Sequence, residues 1–226
     1  MKKLFQVAAL MVAGIVLASC TSNIDVFAKN DGTLFVKYNA HFGNAFVEMA
    51  KSLSGDTNAK LFDVAGIATQ FHNAGLKDAS VVSKTDQDLA MSASVPKDFP
   101  NKAFSNFTNF TEEKDPSGKT NKVKKTASIS FSPEKFQALY EALPNEMQSY
   151  IDLFMIPSFT GDAMSANEYK DLLASVYGER VANEIANAKL KISLTGPTGT
   201  KANQKFTLDL LELLTLATEK EFAIEW

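Results

Sequence analysis

Short stretches in which apolar and polar residues alternate lie near the start, in the middle and near the end of this 226-residue chain. Alternation with a period of two is typical of β-strands that bury one face and expose the other to water. The clearest stretches contain Leu34, Val36 and Tyr38; Ala127, Ile129 and Phe131; and Leu190, Ile192 and Leu194. Such strands predict a sheet with one wet face.

Turn signals between these stretches indicate that the strands pair as antiparallel hairpins. Residues 30–32 (Asn-Asp-Gly) separate strands predicted at 23–29 and 33–41, and these residue types tolerate the positive φ of tight turns. Residues 115–118 (Asp-Pro-Ser-Gly) have the order of a type I turn within a hairpin predicted over 101–131. Further strands are predicted within residues 79–95, at 189–194 and at 205–210, and in a final segment that ties Trp226 into a sheet.

Apolar residues spaced by three and four predict amphipathic helices between the groups of strands. The predicted helices lie at 42–53, 61–71, 133–143, 144–155 and 166–187, with a loop at 157–164. Ser165 and Glu168 form a capping box, because each side chain can accept a hydrogen bond from the other's backbone N–H. Hairpins with segregated helices predict an α+β fold, an antiparallel sheet with helices packed on one face.

The order hairpin, helices, hairpin occurs twice along the chain. One interpretation is a duplication, with similar halves at residues 24–97 and 101–226. The other is one domain without a repeat, since no residue identity between the halves is evident. In both interpretations residues 24–226 are long enough to share one buried core, and we predict a single globular domain.

Residues 1–19 differ in composition from the rest of the chain. Lys2 and Lys3 precede an apolar run at residues 7–17, and the small residues Ala18 and Ser19 follow. This order is typical of a secretory signal peptide. The run is shorter than the roughly 20 apolar residues of a membrane span. We therefore expect residues 1–19 to be cleaved and the fold to lie outside the cytoplasm.

The chain's one cysteine, Cys20, directly follows Leu17-Ala18-Ser19. These four residues resemble the lipobox of bacterial lipoproteins, and the resemblance covers only the first twenty residues. It implies cleavage before Cys20, diacylation of its thiol, and acylation of the new amino group with a fatty acid such as palmitate. Residues 20–23 would then be a lipidated tether to a membrane of the bacterial cell envelope, either inner or outer. The alternative is an ordinary signal peptide followed by a free or buried thiol.

Composition excludes several classes of protein. A single cysteine excludes an internal disulfide and any CxxC metal or redox site. Cleavage would leave 21 basic and 26 acidic side chains, a net charge of −5, and nucleic-acid binding needs a basic surface instead. The same charge gives little attraction to anionic lipid, so acyl chains would have to hold the protein on the bilayer.

Motifs for catalysis or metal binding are absent from the sequence. His41 and His72 lack the spacing of zinc ligands, and no GxSxG motif of a hydrolase is present. The glycine-containing residues 196–201 lack the spacing of a phosphate loop and lie between two predicted strands. We predict no catalytic residue, no metal site and no cofactor.

Three phenylalanines stand in a segment otherwise rich in Asn, Ser and Thr. Phe104, Phe107 and Phe110 are three residues apart, a spacing that fits neither a strand nor a helix. One hypothesis makes them an apolar wall that faces a ligand. The alternative packs them beneath the helices as part of the core.

Together these features predict a membrane-anchored, non-catalytic envelope lipoprotein whose domain binds an apolar ligand or an envelope partner protein. The first alternative is a surface-exposed structural or interaction lipoprotein without a ligand pocket, and the second is an envelope hydrolase. An apolar cavity larger than about 300 Å³ between sheet and helices would favour ligand binding. A filled core would favour an interaction domain.

Overall fold

A computed structural model describes residues 21–54, 60–73, 75–97, 99, 106–114, 123–142 and 145–226. The strands in these ranges are β1 (Thr21–Ala28), β2 (Leu34–His41), β3 (Lys77–Val82), β4 (Asp88–Val95), β5 (Thr108–Lys114), β6 (Val123–Phe131), β7 (Lys189–Thr195), β8 (Asn203–Asp209) and β9 (Lys220–Glu225). The helices are α1 (Asn44–Ser54), α2 (Val64–Asn73), α3 (Pro133–Ala142), α4 (Asn145–Phe154), α5 (Pro157–Thr160), α6 (Ala166–Tyr177), α7 (Glu179–Asn187) and α8 (Leu210–Leu214). The predicted α+β class is confirmed.

The strands form two sheets. Six strands are ordered β3-β4-β2-β1-β7-β8, and three are ordered β5-β6-β9. The predicted hairpins β1–β2, β3–β4, β5–β6 and β7–β8 are all antiparallel. Alternation did not predict the separate second sheet or the parallel pairing of β1 with β7. The predicted turn at 115–118 lies outside the described residues.

Strand β1 begins two residues earlier than predicted. Thr21 is already in register with His41 on β2 and with Lys189 on β7. Ser22 is buried, and its hydroxyl lies 3.4 Å from the hydroxyl of Tyr38. Residues 21–23, predicted as part of a tether, are therefore strand residues of the six-stranded sheet.

The six-stranded sheet buries one face, as predicted. On β1 the side chains of Ile24, Val26 and Ala28 are buried and those between them are half-buried. Helices pack on the buried face, where Leu173 of α6 and Ile185 of α7 belong to the same hydrophobic core as the strand residues. The opposite face carries mainly polar side chains at positions that stay in contact with water.

Aromatic rings join the three-stranded sheet to the helices. The ring of Phe136 on α3 lies 6.2 Å from that of Phe131 and 5.7 Å from that of Phe107. On its other side it lies 5.0 Å from the ring of Phe159. Buried residues of both sheets belong to one continuous hydrophobic core.

The prediction of a loop at residues 157–164 is wrong at its start. Residues Pro157–Thr160 form the short helix α5, in which proline is tolerated because the first helical N–H needs no partner within the helix. Phe159 is almost fully buried, which holds this turn of helix in the core. Gly161 ends it with φ of 82°, a left-handed conformation that favours glycine.

The capping box predicted before α6 is confirmed. The Ser165 hydroxyl accepts a hydrogen bond from the Glu168 backbone N–H at 3.3 Å, and the Glu168 carboxylate accepts one from the Ser165 N–H at 2.8 Å. Gly178, with φ of 86°, separates α6 from α7. Within the described ranges, none of the helices is both long and apolar enough to span a bilayer.

A carboxylate from a distant part of the chain caps α1. The first turn of α1 contains no acidic residue of its own. Instead Glu184 on α7 accepts hydrogen bonds from the Ala45 and Phe46 N–H groups at 2.9 and 3.0 Å. These bonds satisfy two of the donors that a helix N-terminus leaves unpaired. They also fix α1 against α7.

Replacing Glu184 by alanine should therefore destabilise the fold. We expect Glu184→Ala to lower the free energy of unfolding by about 1–3 kcal/mol, because two partly buried N–H groups lose their acceptor. Urea denaturation followed by circular dichroism measures the change. Asn183→Ala, an exposed neighbour on the same helix, is the control and should change stability by less than about 0.5 kcal/mol. Equal losses in the two variants would contradict the capping role.

Candidate functional site

The structure places the predicted site residues in different surroundings. Cys20 and Phe104 lie outside the described residues. Phe107 is 5% exposed and packs in the core against Phe131 and Phe136. Phe110 is half-buried and packs against Trp226, with ring centroids 6.0 Å apart. Phe107 lies in the turn before β5 and Phe110 lies within β5, so the two side chains have different surroundings.

Phe110 lies where the two sheets approach each other. The Lys97 ammonium is 5.4 Å from the centre of its ring, within the range of a cation–π contact. A side chain at Gly32, in the β1–β2 turn, would come within 3.0 Å of the same ring. Phe110 and Trp226 thus close the junction between the three-stranded sheet and this turn.

The six-stranded sheet has two ends, which we name after residues of β1. The Thr21 end contains Thr21, His41, Asp88, Lys189 and Asp209, which are register neighbours across five adjacent strands. The Ala28 end contains the β1–β2 turn and the β7–β8 turn. The two ends differ in their charged groups and in their clefts.

Acidic side chains at the Thr21 end have basic partners. His41 Nδ1 lies 2.9 Å from the Asp88 carboxylate. Lys51 Nζ lies 2.5 Å from the carboxylate of Asp86. Lys189 is paired with Asp209. The two lysine–aspartate pairs compensate charge at this end, and His41 offsets the charge of Asp88 only when it is protonated.

Asp88 accepts a second hydrogen bond, from the Thr85 hydroxyl at 2.6 Å. The bonds from Thr85 and His41 hold the pKa of the Asp88 carboxyl below its ordinary value, with the Thr85 bond as the larger cause. Because Thr85 bonds the carboxylate and not the imidazole, these three residues do not have the order of a nucleophilic triad.

Two surface clefts lie at the Ala28 end, on either side of the β7–β8 turn. The first has a volume of about 570 Å³ and is lined by residues 27–30 of the β1–β2 hairpin and residues 195–203. The second, of about 670 Å³, lies between residues 200–204 and 223–226 and includes Trp226. We call them the Ala28-end clefts. Both are open to solvent and lined by many polar side chains.

A third cleft, of about 630 Å³, lies towards the Thr21 end. It is formed by Lys60, residues 62–65 and Ala68, at the start of α2, and by residues 83–86 of the β3–β4 turn. None of these three clefts lies in the interior between the six-stranded sheet and the helices. In that interior, Phe71, Phe136 and Leu173 are completely buried.

The water-exposed face of the six-stranded sheet carries an aromatic pair that the sequence analysis missed. Phe27 and Phe35 are cross-strand neighbours with ring centroids 6.2 Å apart. The Lys37 ammonium lies 5.4 and 5.5 Å from the two ring centres. The register of the β1–β2 hairpin, set by the turn at residues 30–32, is the signal that could have revealed this pair.

In the part of the chain that the structure describes, no group of three or more His, Cys, Asp or Glu side chains could hold a metal ion. His41 is half-exposed at the end of β2, and His72 is exposed near the end of α2. No family model matches the chain, and no curated protein or solved structure matches it at a significant level. The functional proposal therefore depends on this chain's own residues and geometry.

The Thr85–Asp88 bond can be tested by titration. We expect Thr85→Ala to raise the pKa of Asp88 towards its ordinary value, since the hydroxyl stabilises the charged carboxylate. A lowered native pKa means that Asp88 adds stability above the unfolded-state pKa and loses it as pH falls through the native pKa. Carboxyl NMR titration measures the shift. Ser83→Ala is the control, because that hydroxyl bonds the Thr85 carbonyl instead. An unchanged Asp88 titration in Thr85→Ala would show that the bond is unimportant.

Proposed function

We propose that this chain is a lipid-anchored protein of the bacterial cell envelope whose domain binds an envelope partner and catalyses no reaction. The lipobox-like residues Leu17-Ala18-Ser19-Cys20 carry the proposal, and β1, described from Thr21 onward, lies after the expected cleavage site. Cleavage before Cys20 would leave every described strand and helix intact. Acyl chains on Cys20 would then be joined to the sheet by a single peptide bond.

Anchoring would depend on the acyl chains. Each buried methylene contributes about 0.8 kcal/mol, so two or three chains hold a protein stably where one binds reversibly. The net charge of −5 on the mature chain gives no general attraction to an anionic surface. Loss of the acylation site should therefore release the protein completely.

Three clefts formed by described residues lie outside the interior between the six-stranded sheet and the helices, which favours a partner at the surface over an apolar ligand inside the domain. Pockets for small ligands usually bury most of the ligand between elements of the fold. The Ala28-end clefts are instead open and lined by loops and strand ends. Such surfaces suit a macromolecular partner that covers them on binding.

The Ala28-end clefts also present unpaired positive charge. Lys29 and Lys201 line the first cleft, and neither has a carboxylate within 4 Å among the described residues. Asn30 and Asn203 add amide donors and acceptors beside them. We therefore expect a partner that presents carboxylates or other anionic groups to this end.

The arrangement of the histidines supports a non-catalytic role. Among the described residues, neither His41 nor His72 is hydrogen-bonded to a serine, threonine or cysteine side chain. A hydrolase that uses a serine, threonine or cysteine nucleophile needs such a partner beside the imidazole. On the described residues, a hydrolase of that kind is therefore less favoured than a binding domain.

Acylation can be tested by substitution of the cysteine. We expect Cys20→Ala to abolish partitioning into a detergent phase and incorporation of labelled palmitate, because the attachment atom is removed. Phase separation with Triton X-114 and metabolic labelling measure the two effects. Thr198→Ala, an exposed residue of the β7–β8 turn, should keep both properties. Detergent partitioning of Cys20→Ala at the wild-type level would contradict the proposal.

The preference for a partner over an internal ligand has a separate test. We expect native mass spectrometry of the protein extracted from its host to give the mass of the acylated chain alone. An apolar small molecule that co-purifies at one equivalent would contradict the preference for a surface partner. It would favour the alternative that the domain carries an apolar ligand. Delipidated and refolded protein is the control for non-specific binding.

A further inference from the structure

We infer that the Thr21 end of the six-stranded sheet rests directly on phospholipid headgroups, so that the domain stands end-on with the Ala28 end away from the membrane. This inference rests on the proposed acylation of Cys20. It adds an interaction surface, the Thr21 end, and commits to one partner, the headgroup layer.

The absence of a spacer carries the inference. Neighbouring Cα atoms along a chain are 3.8 Å apart, so Thr21 lies within a few ångströms of the lipidated residue. Thr21 is in register with His41 on one side and Lys189 on the other. Moving it away from the sheet would break pairing with two strands. The bilayer surface must therefore lie close to this end.

The position of β1 within the sheet restricts tilting. Two or three strands lie on each side of it, β2, β4 and β3 on one side and β7 and β8 on the other. With strands about 4.8 Å apart, tipping the domain onto the β8 edge would lift Thr21 by about 10 Å, and tipping it onto the β3 edge would lift Thr21 by about 14 Å. The single-residue link and the glyceryl group on Cys20 fall short of the larger distance and reach the smaller one only when fully extended, which favours the end-on orientation.

Charge at the Thr21 end is compatible with a phosphate layer. Asp86 and Asp209 each pair with a lysine, which reduces their repulsion from phosphate groups, whereas Asp88 is bonded to His41 and Asp63, which lines the third cleft, has no ion pair among the described residues. Lys84 in the β3–β4 turn is exposed at the same end and can contact phosphate. The cleft beside residues 83–86 then faces lipid, while the Ala28-end clefts face away from it.

The height of the Ala28 end follows from strand geometry. A strand rises by about 3.3 Å per residue, so the eight residues of β1 span about 23 Å. Lys205 on the water-exposed face is in register with Ser193, about 13 Å above the level of Lys189. Thr198 lies in the β7–β8 turn beyond Thr195, at least 20 Å above that level.

These heights can be measured with single fluorophores. Since Cys20 is the chain's one cysteine and would be acylated, Lys84→Cys, Lys205→Cys and Thr198→Cys each introduce one free thiol at an exposed residue. The labelled, acylated full chain is placed in vesicles of phosphatidylcholine and phosphatidylglycerol that contain a short-range quencher on some headgroups. We expect quenching to decrease from position 84 to 205 to 198, with a several-fold difference between 84 and 198. Equal quenching at 84 and 198 would overturn the inference. Strongest quenching at 205 would do the same and indicate that the domain lies on its exposed sheet face.

A variant with a spacer tests whether the short link between Cys20 and β1 sets the orientation of the domain. Twelve Gly/Ser residues inserted between Cys20 and Thr21 form a coil about 20 Å across. We expect this variant to stay on vesicles and to lose most of the difference between positions 84 and 198. An unchanged difference would show that the short link does not set the orientation, which contradicts the inference.

The two proposals fail in distinguishable ways. If the wild-type full chain does not co-float with vesicles, the proposed acylation is wrong. The inferred orientation is then wrong as well, because it depends on that acylation. If the chain co-floats but the quenching order differs from 84, 205, 198, the inferred orientation is wrong and the proposed acylation of Cys20 is retained.

Discussion

The fold depends on the pairing of β1 with two neighbours. Strand β2 follows β1 directly and pairs antiparallel with it, whereas β7 lies about 170 positions further along the chain and pairs parallel. A parallel pair needs a crossover connection, and here the connection contains most of the helices and two strands of the three-stranded sheet. Because β1 is central and begins at Thr21, any group attached to Cys20 is held at the middle of one sheet end.

Local patterns predicted the hairpins, most helices, the capping box at Ser165 and the strand before Trp226, because each depends on residues close together in sequence. Three features depend on distant residues and could not be predicted this way: the β1–β7 pair, the cap that Glu184 gives to α1, and the burial of α5 by Phe159. The early start of β1 was hidden by polar residues, of which Ser22 is buried beside Tyr38.

In the candidate site, too, features that depend on neighbouring residues could be predicted and features that depend on distant residues could not. The residues that resemble a lipobox, Leu17-Ala18-Ser19-Cys20, are contiguous, so the sequence alone predicts an anchor at Cys20. The Ala28-end clefts combine the β1–β2 and β7–β8 turns, and Lys29 and Lys201 come together only in the folded chain. Spacing could not assign Phe107 and Phe110 to a common surface, since one lies in the core and the other covers the junction between the sheets.

An anchor joined directly to a central strand would have a functional consequence, because the sheet end nearest the lipid would be covered and the opposite end would be presented to partners. This account depends most on acylation at Cys20. Mass spectrometry of the N-terminal peptide of the protein purified from its bacterial host tests it directly. The account predicts a peptide that begins at Cys20 and carries a diacylglyceryl group. A peptide that begins at another residue, or one with an unmodified Cys20 thiol, would contradict it.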